Sequence, residues 1–183
     1  MQTNLIRISK FISLVLRHNP GKIDLSLDEN GWAGVDELLI KAKIDRATLE
    51  QVVAQNDKKR FAFSADGQKI RASQGHSIDV DLALEPVSPP DVLYHGTATR
   101  FEESILQKGL IPGSRNHVHL SADQQTAISV GQRHGKPIVF IVKAKEMEQD
   151  GFLFHLSENK VWLTAAVLVK YLVLLNEFQD KKR

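Results

Sequence analysis

Four short segments hold the residues best suited to chemistry: Leu16-Arg17-His18-Asn19-Pro20, Asp57-Lys58-Lys59-Arg60-Phe61, Arg71-Ala72-Ser73-Gln74-Gly75-His76-Ser77, and Ser114-Arg115-Asn116-His117-Val118-His119-Leu120-Ser121. A guanidinium is a planar fork of donors that stays protonated. Arg17, Arg60 and Arg115, joined by His18 and gathered from both halves of the chain, would therefore suit phosphoryl chemistry on a polyanion. Taken singly, each segment means little, since a surface arginine is usually just solvated.

The remaining histidines sit in less specific settings. His95-Gly96-Thr97 is expected to follow a strand and precede a helix, where a glycine lets a ligand approach the backbone and imidazole and hydroxyl give directional hydrogen bonds. His117 and His119 are two apart, so on a strand they face one side, a spacing that could chelate a metal. A third ligand would have to come from elsewhere and no HExxH helix is present, so the expectation is a polar cleft with no metal. GxGxxG, GxxxxGK[ST] and GxSxG are all absent from the sequence, which disfavours a dinucleotide redox fold, a P-loop and a hydrolase elbow. If NAD binds, it is expected as a substrate.

These residues need elements to hold them. Leu5, Ile8, Phe11, Ile12, Val15 and Leu16 recur with helical period over residues 4–18, and Arg7, Lys10, Arg17 and His18 share the opposite arc. Pro20-Gly21 ends that helix, leaving Arg17 and His18 in its last turn against the negative end of the macrodipole. A short apolar alternation at residues 23–27, helices near 35–43 and 47–55, and a hairpin turning at Asp66-Gly67 follow. Three helices and a hairpin resemble a winged helix. Glu85-Pro86-Val87-Ser88-Pro89-Pro90 marks a boundary. Beyond it, strands are expected at residues 92–95, 117–120, 137–142, 152–156 and 165–175, with helices at 100–108 and 123–134.

Composition limits the rest. The chain has 183 residues, 42% of them hydrophobic and 25% charged, which is enough for one large core or two small ones. It contains no cysteine, which excludes disulfides, thiolate nucleophiles and cysteine-held metals and fits a reducing compartment. A net charge of +2, with three positive charges in Lys181-Lys182-Arg183, does not by itself announce a nucleic-acid partner. No signal-like start and no apolar run of ~18 residues are present, so a cytoplasmic protein without a membrane span is expected.

The motifs LVLRH (14–18), NDKKRF (56–61), IRASQGHS (70–77), YHGT (94–97), SRNHVHLS (114–121) and VWLT (161–164) together resemble the tRNA 2′-phosphotransferase (KptA-type RNA 2′-phosphotransferase) family, in order and over roughly residues 5–175. The resemblance implies an α+β protein with an N-terminal winged-helix lobe for RNA (1–86) and a C-terminal, β-rich ADP-ribosyltransferase-like lobe for NAD (91–183). It implies removal of an internal 2′-phosphate from RNA, tRNA being one candidate, with NAD as co-substrate and no metal. An ADP-ribosylated 2′-phospho-RNA forms, and transesterification then yields 2′-OH RNA and ADP-ribose 1″,2″-cyclic phosphate.

The family's catalytic residues fall on Arg17, His18, Arg60 and Arg115. Its NAD motifs fall on His95, Gly96 and Thr97 and on His119, Leu120 and Ser121, and its RNA-side residues on Gln74, Gly75, His76 and Ser77, with Lys10 and Arg71 added as RNA contacts. His18 would orient the phosphate or assist transesterification. Val161 stands where protein-modifying relatives carry a glutamate, which disfavours protein modification. Lys160 stands where relatives have glycine or asparagine. A nucleic-acid ADP-ribosyltransferase that stops after the first step is the open alternative. The protein is expected to be a monomer.

Overall fold

The computed structural model describes residues 2–175. The chain divides into two compact units, one comprising the residues up to Leu84 together with Ser114–Asn116, the other Glu85–Gly113 and the residues from His117 on. Helices and small antiparallel sheets make both, an α+β composition. The expected charged tail at 181–183 lies outside the described residues.

In the first unit, helix α1 (Gln2–Arg17) places Ile12, Val15 and Leu16 fully in the core, with Leu5, Ile8 and Phe11 packed on its margin. The apolar arc read from the sequence is thus the buried face. His18 follows α1 immediately, and the Leu14 carbonyl accepts from the amides of both His18 and Asn19 at 2.9 Å, closing the helix before a 3-10 turn, Pro20–Ile23. Helices α2 (Val35–Ala42) and α3 (Arg46–Ala54) complete the helical part. Asp45 caps α3 by accepting from the Thr48 amide at 2.7 Å.

Strands β1 (Ala33–Gly34), β2 (Phe61–Phe63) and β3 (Lys69–Ala72) form an antiparallel sheet in the order β1-β3-β2. Its β2–β3 turn is the expected one: Gly67 has φ +69°, and Asp66 accepts from the Ser64 hydroxyl at 2.6 Å and the Gln68 amide at 3.0 Å. The apolar alternation at residues 23–27 is not a strand. Leu25 is buried and Ile23 and Leu27 pack on the core, but their backbone joins no ladder.

The second unit contains two antiparallel three-stranded sheets. One has the order β4-β6-β9, from β4 (Leu93–Ala98), β6 (Pro137–Val142) and β9 (Leu172–Leu174); the other has the order β5-β8-β7, from β5 (Val118–Leu120), β7 (His155–Leu156) and β8 (Trp162–Thr164). Reciprocal backbone hydrogen bonds between Tyr94 and Ser121, 2.9 and 2.8 Å, join the sheets. Helices α4 (Glu102–Lys108), α5 (Gln124–Gln132) and α6 (Ala144–Gln149) accompany them.

Leu93, Phe140, Met147, Phe154, Val167 and Tyr171 form the centre of this unit's core. The strand expected over 165–175 is broken: Val167 makes a single bridge to Leu110, a 3-10 turn (Val169–Tyr171) buries Tyr171, and only β9 pairs. The proline-rich segment belongs to this unit. Val87 donates to the Phe154 carbonyl at 2.8 Å, and Ser88 links Glu148 and Lys145 at 2.9 Å each. No helix among the described residues is long and apolar enough to cross a membrane.

Candidate functional site

The first unit gathers Arg17, His18, Arg60 and Arg115. Arg17 ends α1, and its Nε and Nη2 are buried without a hydrogen-bond partner. Its pKa falls to about 10, first through burial and then through the positive charges of Arg60 and Arg115. Leaving two buried donors of a charged group unmet is costly, so native folds rarely tolerate it unless a ligand supplies the acceptors. All three causes push the same way. Among the described residues no carboxylate offsets them, and an oxyanion would.

Each member is held by an identifiable local contact. Arg60 precedes β2 in a loop pinned by the buried Ser73, whose amide donates to the Arg60 carbonyl at 2.8 Å and whose hydroxyl donates to the Lys59 carbonyl at 2.9 Å. Arg115 lies in the short segment that groups with the first unit, anchored by its neighbour. The Asn116 amide donates to the His76 carbonyl at 3.2 Å, and Asn116 Nδ2 donates to the carbonyls of Ile78 at 2.9 Å and Val80 at 3.4 Å. Ser73 and Asn116 lie inside two of the motifs but carry no role in the sequence reading, because their work is done on backbone carbonyls.

His18 is exposed. Its Nδ1 lies 2.8 Å from the Ser77 hydroxyl, and the Ser77 amide donates to the Arg17 carbonyl at 3.0 Å. Partial burial, then Arg17, then Arg115 lower its pKa below the usual histidine value. Gly75, at φ +89°, lies against the Arg17 guanidinium; a Cβ there would stand 3.7 Å from its Cζ, in ordinary contact.

The residues expected to contact RNA separate by burial. Arg71 is 8% exposed, stacked over the Trp32 ring at 4.4 Å and donating to the Leu82 carbonyl at 3.2 Å. His76 is 2% exposed, with Nε2 buried and unmatched, and its pKa is lowered to about 4 by burial, Arg17, Arg71 and His18, in that order. Arg71 packs its cation over an aromatic ring, and burial favours the neutral form of the His76 imidazole. Gly75 is also buried, Gln74 is half-buried and Ser77 exposed. Lys10 lines a groove of about 330 Å³ beside α1 that also takes in Ser9, Gln55, Lys58 and Arg60, whereas Arg7 lines a different groove with Lys43 and Thr48.

In the second unit, His95 Nδ1 donates to the His119 carbonyl at 3.1 Å, tying β4 to β5. Burial lowers the His95 pKa, the His119 bond raises it and His134 lowers it further. A neutral ring with its proton on Nδ1 leaves Nε2 as an acceptor. Gly96 does not open the backbone to a ligand as expected. A Cβ there would fall 1.6 Å from the Ala127 carbonyl oxygen of α5, so the missing side chain makes room for a helix.

Thr97 and Leu120 are buried, while His119 and Ser121 are half-buried. His117 meets His155 edge-to-face at 6.3 Å, and His119 and His155 both stand opposite Leu163, on one face of the sheet. Among the described residues no three His, Asp or Glu side chains are grouped to hold a metal ion. Lys160 adopts φ +65° in the β7–β8 turn, where its amide donates to the Ser157 carbonyl at 2.9 Å, which explains why glycine or asparagine suits this position.

Comparison with known sequences gives a family. The profile of the family described as RNA 2′-phosphotransferase, Tpt1 / KptA family matches residues 3–166. A curated relative from Hahella chejuensis is 56% identical over 181 residues, 96% of this chain and 97% of its own. Others from Agrobacterium fabrum (58% over 171 residues, 91% and 92%) and Acaryochloris marina (54% over 178 residues, 94% and 98%) are similar. All three are named probable RNA 2′-phosphotransferase.

Proposed function

The chain belongs to the RNA 2′-phosphotransferase family, and we propose that it removes an internal 2′-phosphate from RNA with NAD as co-substrate. The observation that carries this reading is Arg17, with two buried donors unmet and two further arginines close enough to depress its pKa. Such a site is built for a multiply charged oxyanion that presents several acceptors at once.

In the first step a 2′-phosphate oxygen bonds to C1″ of the nicotinamide ribose as the C1″–N bond breaks, and nicotinamide leaves with the electron pair. In the second, the ribose 2″-hydroxyl bonds to phosphorus, the P–O2′ bond breaks, and a proton passes to the RNA 2′ oxygen. The products are 2′-OH RNA and ADP-ribose 1″,2″-cyclic phosphate.

The roles of this chain's residues follow from their chemistry. Arg17, Arg60 and Arg115 hold the phosphate oxygens and meet the charge that builds on them during transfer to the 2″-hydroxyl. His18 has a lowered pKa and an exposed edge, so it supplies a hydrogen bond or a proton near the phosphate. On the second unit His95 and His119 fit a ribose, since His95 Nε2 is an acceptor. Lys10 and its groove fit the RNA backbone, in a lobe that acts as a winged helix.

The deciding experiment is incubation of the purified protein with NAD and a short 2′-phosphorylated RNA, followed by separation of products. Release of 2′-OH RNA and cyclic phosphate supports the proposal. Accumulation of ADP-ribosylated RNA as the end product means the chain stops after the first step, and no NAD consumption removes the reading altogether.

A further inference from the structure

We propose that Ser77 is a positioning residue for His18: its hydroxyl donates to Nδ1 and so holds the imidazole in the tautomer that presents Nε2–H to the bound oxyanion. The inference rests on the phosphate-site reading and adds to it a residue whose side chain acts through His18, not on RNA directly.

The geometry is double. The Ser77 hydroxyl lies 2.8 Å from His18 Nδ1, and the Ser77 amide donates to the Arg17 carbonyl at 3.0 Å. The serine is thus tied to the backbone of the helix end that carries the histidine, which keeps its hydroxyl within reach of Nδ1. The same stretch is held from the other side by Asn116, next to Arg115, which donates to the carbonyls of His76, Ile78 and Val80. One bracket therefore sets His18 and Arg115 together.

The direction of the hydrogen bond follows from the occupant. Among the described residues Ser77 is the hydrogen-bond partner of His18, which leaves Nε2 for a ligand. A phosphate oxygen only accepts, so a neutral imidazole facing it must offer N–H. With the proton on Nε2, Nδ1 is a lone pair and the hydroxyl must donate to it. The hydrogen bond made by one ring nitrogen decides which nitrogen holds the proton. Ser77 is exposed, so its removal leaves the core intact.

The test is made on the full chain labelled with 15N-histidine, at pH 8 in phosphate-free buffer, so that no bound anion sets the tautomer. Long-range proton–nitrogen correlation spectra are expected to show His18 Nδ1 unprotonated and Nε2 protonated. Ser77→Ala should give a mixture of tautomers, and Ser77→Thr, which keeps the hydroxyl, a single one. With 2′-phosphorylated RNA and NAD, Ser77→Ala should lower turnover by about tenfold, the scale of one lost hydrogen bond, and Ser77→Thr should recover it to within about twofold. A protonated Nδ1 in the unsubstituted protein, or equal turnover by the alanine and threonine variants, overturns the proposal. The spectra need no turnover, so a wild-type protein that holds the predicted tautomer yet makes no product would count against the phosphotransferase reading alone.

Discussion

The carbonyl oxygen of Ala127 occupies the place where a Cβ on Gly96 would stand, within 1.6 Å of it. The contact is reciprocal along the helix, since a Cβ on Gly131 would fall 2.6 Å from the Thr97 carbonyl. Two glycines, one on β4 and one on α5, let helix and strand backbones touch. Because backbone cannot swing aside as a side chain can, Gly96→Ala should cost about 3 kcal/mol and lower the melting temperature by roughly 10 °C. Calorimetry checks this. A variant melting like the wild type but failing to bind NAD would return Gly96 to a ligand role.

Unmet donors on Arg17 should make the free protein bind simple oxyanions. Inorganic phosphate at tenfold excess over its Kd should stabilise the fold by about 1.4 kcal/mol. Arg17→Ala should abolish that gain, and Arg17→Lys, without a fork, should keep only part of it. Thermal shifts measured against phosphate concentration read this directly; an equal shift in the alanine variant would place the anion elsewhere.

His76 should impose a cost on acidification. Its folded pKa, about 4, lies below the unfolded value near 6.5, so between these limits the unfolded state binds more protons. Stability should therefore fall as pH drops from 6.5 towards 4, by up to about 1.4 kcal/mol per pH unit from this group. His18 and His95, also lowered, add to the same slope. Urea unfolding at pH 7 and pH 5 should show a smaller pH difference for His76→Leu than for the wild type, and an unchanged difference would mean that His76 is not the group involved.

The two chemical steps should separate by mutation. On the proposed mechanism His95 positions the ribose for the first step, so His95→Ala should slow every product. Phosphate charge is greatest in the second, so Arg60→Ala or Arg115→Ala, each losing a donor worth about 3 kcal/mol, should slow release by ~100-fold and let ADP-ribosylated RNA build up. A time course decides it: arginine variants showing only substrate and final product would assign those arginines to the first step as well.

What the sequence alone determined is local. The period of Leu5 to Leu16 set α1, Pro20 its end, and Asp66-Gly67 the hairpin turn, because periodicity, capping and left-handed turns are decided by residues a few positions apart. The resemblance also drew Arg17, Arg60 and Arg115 from the many basic residues. Tertiary structure decided what each arginine does. Arg17 and Arg71 are both basic residues of short motifs, yet Arg17 stands with two open donors beside two other cations, whereas Arg71 stacks on Trp32 and donates to a buried carbonyl.

The same holds for Gly96, whose vacancy a helix fills, and for Ser73 and Asn116, whose partners are backbone carbonyls that no side-chain pattern announces. Desolvation and hydrogen-bond satisfaction depend on which distant segments meet. A residue's type fixes what it can offer, and only the packed neighbours settle whether that offer is met from within or left open for a ligand.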